Sequence, residues 1–160
     1  MTAIENTSSN TAMIAVDRAA HDFRRGRAIQ IRDDAGSAVI AVAAEMGTDR
    51  TISRLTELGG DEPAIAITHH RARTLKVRLY TDEIVLIPFK LWRTADAART
   101  IADPTTDLAN PLRGPYTADR DPVSAASIAA VQLAKIARLL PSAILVPCDG
   151  SNDELIAEDG

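Results

Sequence analysis

Asp33 and Asp34 lie side by side in the short polar run RDDAGS (32–37), and paired carboxylates can move protons or hold a divalent cation. Gly36 and Ser37 give the same run the chemistry of a hairpin turn. Aspartate there bonds its own backbone, so the residues by themselves read first as turn formers. His69 and His70 are the adjacent histidines of the chain. Neighbours on a helix point in different directions, and with no cysteine beside them they read as a helix start rather than a metal site. Cys148 has no histidine partner in sequence and reads as a structural thiol. The basic clusters FRRGR (23–27) and RARTLKVR (71–78) could receive phosphate or nucleic acid. With few aromatics near them for stacking, they read as solvated faces, and no nucleic-acid partner is expected. Phe89 and Trp92 are the one concentrated aromatic spot, read as core packing or an oligomer contact.

The elements that must position these residues belong to one domain, since 160 residues is an ordinary single-domain length. Aromatic residues make up only 3% of the chain, so alanine, valine, isoleucine and leucine must build the core. The formal net charge of -4 disfavours a general polyanion binder. One cysteine excludes an internal disulfide and any zinc site made of several thiolates. The polar start MTAIENTSSNTA lacks the pattern of a secretory signal. The apolar windows AVIAVAA and SAILVP are far shorter than the ~20 residues of a membrane span. A cytoplasmic protein with no membrane partner is expected.

Residues 1–11 read as a flexible polar arm, 12–147 as the folded domain and 148–160 as an acidic tail or the start of a linker. Ile14, Val16, Ala19, Ala20 and Phe23 recur at helical spacing and predict a helix over 12–25. AIQI (28–31) and AVIAVAA (38–44) predict a hairpin. Ile52, Leu55 and Leu58 predict a helix closing at Gly59-Gly60. AIAIT (64–68) reads as a strand, Thr68 opens a short helix, EIVLIP (83–88) is a strand and TADAARTIA (94–102) a helix. Residues 103–122 hold four prolines and no hydrophobic period, and read as a long ordered loop or a flap. Asp121 and Pro122 predict the start of a helix whose apolar side is Ile128, Val131, Ile136 and Leu139, stopped by Pro141. SAILVP (142–147) closes the domain as a strand. Alternating strands and helices with one hairpin predict an α/β (α+β) domain with a mixed sheet flanked by helices.

Four segments, in order, resemble dihydroxybutanone phosphate synthase, the riboflavin-pathway enzyme that converts ribulose 5-phosphate to a four-carbon phosphate and formate. They are VDRAAHDFRRGRAIQI, AVIAVAAE, RTADAARTIADP and AAVQLAKIARLLPSAILVP. The resemblance implies that fold, a homodimer, and an acidic loop after the first strand that works with a metal-binding histidine at the start of the last helix. Of that loop Asp33 and Asp34 remain, and the rest has contracted to Ala35, Gly36, Ser37, Ala38 and Val39. Ala126 falls at the histidine, Ser127 at the threonine after it and Ile128 at the glutamate. Asp96 and Thr100 match the third segment, while Ala97 replaces an arginine.

The resemblance therefore implies a vestigial pocket of Asp33, Asp34, Asp96, Arg99 and Thr100, with no catalytic residue, metal or cofactor. Degenerate domains of this kind are similar to the N-terminal region of GTP cyclohydrolase II proteins. The expected role is a scaffold, dimerisation or regulatory module beside a cyclohydrolase domain in the same or a partner chain. An enzyme is the first alternative, its site rebuilt from Asp33, Asp34, Asp96 and Asp107 or Asp119. The other is a nucleotide- or flavin-sensing domain with Lys90, Arg99 and Arg113 as anion contacts.

Overall fold

A computed structural model describes residues 2–150, with side chains from Ser8 onward. The chain runs α1 (Thr2–Arg24), β1 (Ile29–Arg32), β2 (Ala38–Ala43), α2 (Asp49–Gly59), β3 (Ala64–Thr68), α3 (His69–Thr74), β4 (Ile84–Pro88), α4 (Ala95–Ala102), α5 (Ala125–Ile136) and β5 (Ser142–Cys148). The strands form a five-stranded sheet in the order β1-β2-β5-β3-β4. Helix α1 begins at Thr2, so the stretch to Thr11 read as a polar arm is helical. Residues 151–160 of the acidic tail lie outside the described residues, and Cys148 belongs to β5.

Every pairing in the sheet is antiparallel, which corrects the mixed sheet expected from the alternation of strands and helices. The crossover from β2 through α2 to β3 does bring two strands into the same direction. It leaves a slot between them, and β5 fills that slot running the other way, with Ile40 opposite Val146 and Ile65 opposite Ile144. Alternation in sequence fixes direction only for strands that end up as neighbours.

Period-2 alternation sorts the side chains onto two faces of unequal bulk. Ile40, Val42, Ile65, Ile67, Val85, Ile87, Ile144 and Val146 face α2, α3 and α4. The opposite face carries Ala41, Ala43, Ala66 and Ala143, and α5 lies on it through Ala126, Ala130 and Ala134. Small residues on both surfaces let helix and sheet approach closely, and Val131 and Leu133 complete the buried side of α5, with Ile128 and Leu139 packed against it. Ile136, expected inside, is 53% exposed. Likewise α1 buries Ala20 and Phe23 and leaves Ile14 and Val16 outside.

The helix ends follow their capping chemistry. Thr48 Oγ1 accepts the Thr51 N–H at 3.1 Å and the Thr48 N–H donates back to Thr51 Oγ1, a capping box for α2, whose far end is closed by Gly60 in the left-handed region. Gly59 is needed for a different reason: a Cβ there would lie 2.5 Å from the Val146 side chain and 3.0 Å from the Pro147 carbonyl. Thr68 caps α3 as its position in sequence predicts, and Thr94 caps α4. The cap of α5 is Ser124, not Asp121, so that helix starts three residues later than the Asp-Pro pair predicts. Asp49, in the first turn of α2, also accepts the backbone N–H of Ala95 at 2.8 Å, tying the N-terminus of α4 to that of α2.

Candidate functional site

Asp33 is the hinge of the β1–β2 turn. Its Oδ1 accepts the N–H groups of Ala35 and Ser37 at 3.0 and 2.9 Å, and its Oδ2 reaches across to accept the Ala126 N–H at 3.2 Å. The turn reading is therefore right and incomplete, because the same carboxylate also sits at the N-terminus of α5. Asp34 is exposed. The hairpin turn and the start of the last helix, far apart in sequence, thus meet at Asp33 and Ala126.

The other three residues of the expected pocket are elsewhere. Asp96, Arg99 and Thr100 are on α4, on the opposite face of the sheet. Arg99 Nη1 donates to the Gly47 carbonyl at 2.7 Å, beyond the far end of β2 from the hairpin turn, and Nη2 pairs with Asp96. The Thr100 hydroxyl donates to the Asp96 carbonyl at 2.9 Å. Within one chain the five residues form two separate groups, and the guanidinium of Arg99 is engaged in holding α4 to the turn after β2.

The densest polar constellation is one the sequence reading placed on a solvated face. Arg71, on α3, is 7% exposed. Its Nε donates to the Ile101 carbonyl at 2.6 Å, Nη1 to Asp107 Oδ2 at 2.7 Å, and Nη2 to Asp107 Oδ1 at 2.8 Å and to the carbonyls of Thr100 and Asp103 at 3.2 and 3.3 Å. These are carbonyls that the end of α4 leaves without intrahelical partners. Arg113 completes the clamp from the loop itself, donating to Thr100 O at 2.6 Å and pairing with Asp107. Burial pulls the Arg71 guanidinium below its usual range, partly offset by the charges of Asp103 and Tyr116. Burial also lowers Arg113, and the neighbouring Arg71 charge adds to the effect. Thr105, through its hydroxyl and its backbone N–H, holds the Asp103 carboxyl below the ordinary carboxylate range. The clamp fixes the first half of the 103–122 loop and leaves Arg113 engaged within the chain. Lys90 is exposed.

The remaining candidates resolve simply. Trp92 is buried, donates to the Ile87 carbonyl at 3.0 Å and meets Phe89 edge-on at 5.0 Å, which is core packing. His69 Nε2 is 2.6 Å from the Thr81 carbonyl, which fixes it as the donor, and His70 is exposed. A cleft of about 210 Å³ opens beside them, lined by Thr68, His70, Glu83, Ile128, Gln132 and Lys135 among others. That is below the ~300–1,000 Å³ of ordinary small-molecule pockets.

The backbone matches those of solved 3,4-dihydroxy-2-butanone 4-phosphate synthases. Against the Candida albicans protein the TM-score is 0.58, with 86% of this chain and 81% of that one covered at 16% identity. The fold is dihydroxybutanone phosphate synthase-like. The two-domain synthase of A. baumannii gives a TM-score of 0.63 over 90% of this chain and 53% of its own, at 17% identity. A synthase solved in complex with two magnesium ions gives 0.62 over 83% and 74%, at 15% identity. By sequence, the chain is 37% identical over 150 residues to GTP cyclohydrolase-2 of Azospirillum brasilense, matching 92% of this chain and 39% of that protein. The chain thus spans about two fifths of that relative's length. No protein-family profile matches it.

The synthase-like fold raises the question of magnesium, and the residues at the Asp33–Ala126 junction do not fit that ion. Hard divalent cations take several oxygen ligands. Here both oxygens of the Asp33 carboxylate accept backbone N–H groups, and Ala126, which supplies one of them, has no side-chain atom that could bind an ion. Among the described residues no three His, Cys, Asp or Glu side chains converge as an ion-binding group.

Proposed function

We propose that this chain is a non-catalytic synthase-like module that supports a GTP cyclohydrolase II partner, in the same or another polypeptide, in riboflavin biosynthesis. The observation that carries the reading is the junction of Asp33 with Ala126. The resemblance puts a metal-binding histidine at the alanine and a run of acids around the aspartate. The chain keeps the meeting point and lacks the ligands, and its remaining carboxylate serves as a staple between hairpin and helix. The sequence match to GTP cyclohydrolase-2 supports the choice of partner. The module pairs with a second copy of itself, and the exposed Met13, Ile14 and Val16 of α1 supply apolar surface for such a contact. Its place is the cytoplasm, consistent with the finding that no described helix is long and apolar enough to cross a membrane.

The direct test is formate release from ribulose 5-phosphate in the presence of magnesium. No turnover is expected, and a rate near the ~10 per second of an ordinary enzyme would overturn the reading. Light scattering tests the pairing, with twice the 17.1 kDa chain mass as the expected result.

A further inference from the structure

Tyr80 is approached by two arginines, Arg78 and Arg120. The guanidinium carbon of Arg120 is 4.6 Å from the centre of its ring and that of Arg78 is 5.5 Å away, and Arg120 Nη2 donates to the phenol oxygen at 3.3 Å. Among the described residues neither arginine forms an ion pair with a carboxylate. Their acidic neighbours in sequence, Asp82, Asp119 and Asp121, are exposed. Both arginines are exposed and Tyr80 is 38% exposed, so the cluster does not serve the core.

Each member stands beside a backbone position that the fold fixes. Val77 donates to the Ala72 carbonyl at 2.8 Å and sets the start of the segment bearing Arg78. Thr81, next to Tyr80, is bonded through its carbonyl to His69 and through its hydroxyl to the Ile84 carbonyl, both at 2.6 Å. Asp119 donates to the Leu86 carbonyl at 2.8 Å, which brings Arg120 from the long loop to the edge of β4. Two like charges are thus held at one ring. The attraction of an exposed ring for a cation is weak, and no ion pair with a carboxylate among the described residues offsets either charge.

We propose that Arg78, Tyr80 and Arg120 form a binding site for the phosphate group of a small phosphorylated ligand. A phosphate dianion matches two monocations, and its oxygens suit the paired N–H donors of a guanidinium fork. The tyrosine holds the forks together and offers an exposed aromatic surface to whatever the phosphate is attached to. Arg78 and Tyr80 lead into β4, whose first residue lies at the end of the sheet opposite the Asp33–Ala126 junction, and the cluster does not depend on the function proposed above.

The 160-residue chain, labelled with nitrogen-15, is titrated with inorganic phosphate at constant ionic strength while the arginine Nε–H resonances are followed, with chloride as the control. Phosphate is expected to move the Arg78 and Arg120 signals and chloride to leave them in place. Loss of one charge-assisted bond in Arg78→Gln or Arg120→Gln is expected to weaken binding about tenfold. Circular dichroism confirms that these exposed substitutions keep the fold. Separate arms with a sugar phosphate and a nucleoside monophosphate distinguish the source of the phosphate: tighter binding of either identifies it. No phosphate-specific movement of the two signals up to about 20 mM, well past a millimolar dissociation constant, overturns the proposal. So does an affinity unchanged in both variants.

Discussion

Replacing Arg71 by methionine keeps most of the buried stem and deletes every donor that Arg71 brings to the clamp. The Ile101 carbonyl loses a donor at 2.6 Å, and an orphaned buried acceptor costs about 1–3 kcal/mol. Breaking a buried, hydrogen-bonded ion pair costs about 3–5 kcal/mol, but the Asp107 side chain is 28% exposed and keeps Arg113, so only part of that applies. Together these give an expected loss of about 2–4 kcal/mol, a large share of the ~5–15 kcal/mol that holds an ordinary domain. Urea denaturation measures it, and a double-mutant cycle with Asp107→Asn should return a coupling of about 0.5–3 kcal/mol. Arg71→Lys should recover little, because one ammonium cannot reach the carboxylate and three carbonyls that the planar fork spans. Limited proteolysis reads the loop directly: cleavage between Leu108 and Leu112 should accelerate in Arg71→Met. A cost below about 0.5 kcal/mol, the range of plain surface substitutions, with an unchanged cleavage pattern would refute the clamp.

Two further outcomes follow from the packing and the loop. Gly59→Ala should destabilise by about 1–3 kcal/mol in thermal or urea melts, since the new methyl meets both the Val146 side chain and the Pro147 carbonyl; a neutral result would mean that α2 is free to shift off β5. Asp103 has a folded-state pKa below its unfolded value of about 3.9, so its contribution is complete above that pH and is lost as the pH falls through the lower, folded value. Asp103→Asn should therefore flatten the fall of the urea midpoint on acidification, and parallel curves for the two proteins would count against the assignment.

Strands and helices were legible in the sequence wherever local chemistry decides them. AIAIT is β3 residue for residue, Thr68 caps the short helix it reads as opening, and Thr94, which reads as the first helical residue, is the cap just before α4. Sheet direction was not legible, because it depends on which strand enters the slot between β2 and β3. Of the apolar side expected for α5, Val131 is buried and Ile128 and Leu139 pack against the same face, while Ile136 is exposed; the hydrophobic spacing alone does not show that Ala126, Ala130 and Ala134 share that face. At the candidate site, the resemblance implies that the hairpin acids and the start of the last helix work together, and Asp33 does bond to Ala126 there. Arg71 was missed because its partner Asp107 is 36 residues away, and no local spacing separates a buried arginine from a solvated one in RARTLKVR.

The fifth strand in chain order occupies the middle of the sheet. Until Ser142–Cys148 has left the ribosome, β1–β2 and β3–β4 are two antiparallel pairs, each with a naked inner border and nothing between them. A nascent chain must therefore keep two sticky edges apart until that strand emerges, and termination before residue 142 yields a product prone to clump rather than a smaller working domain.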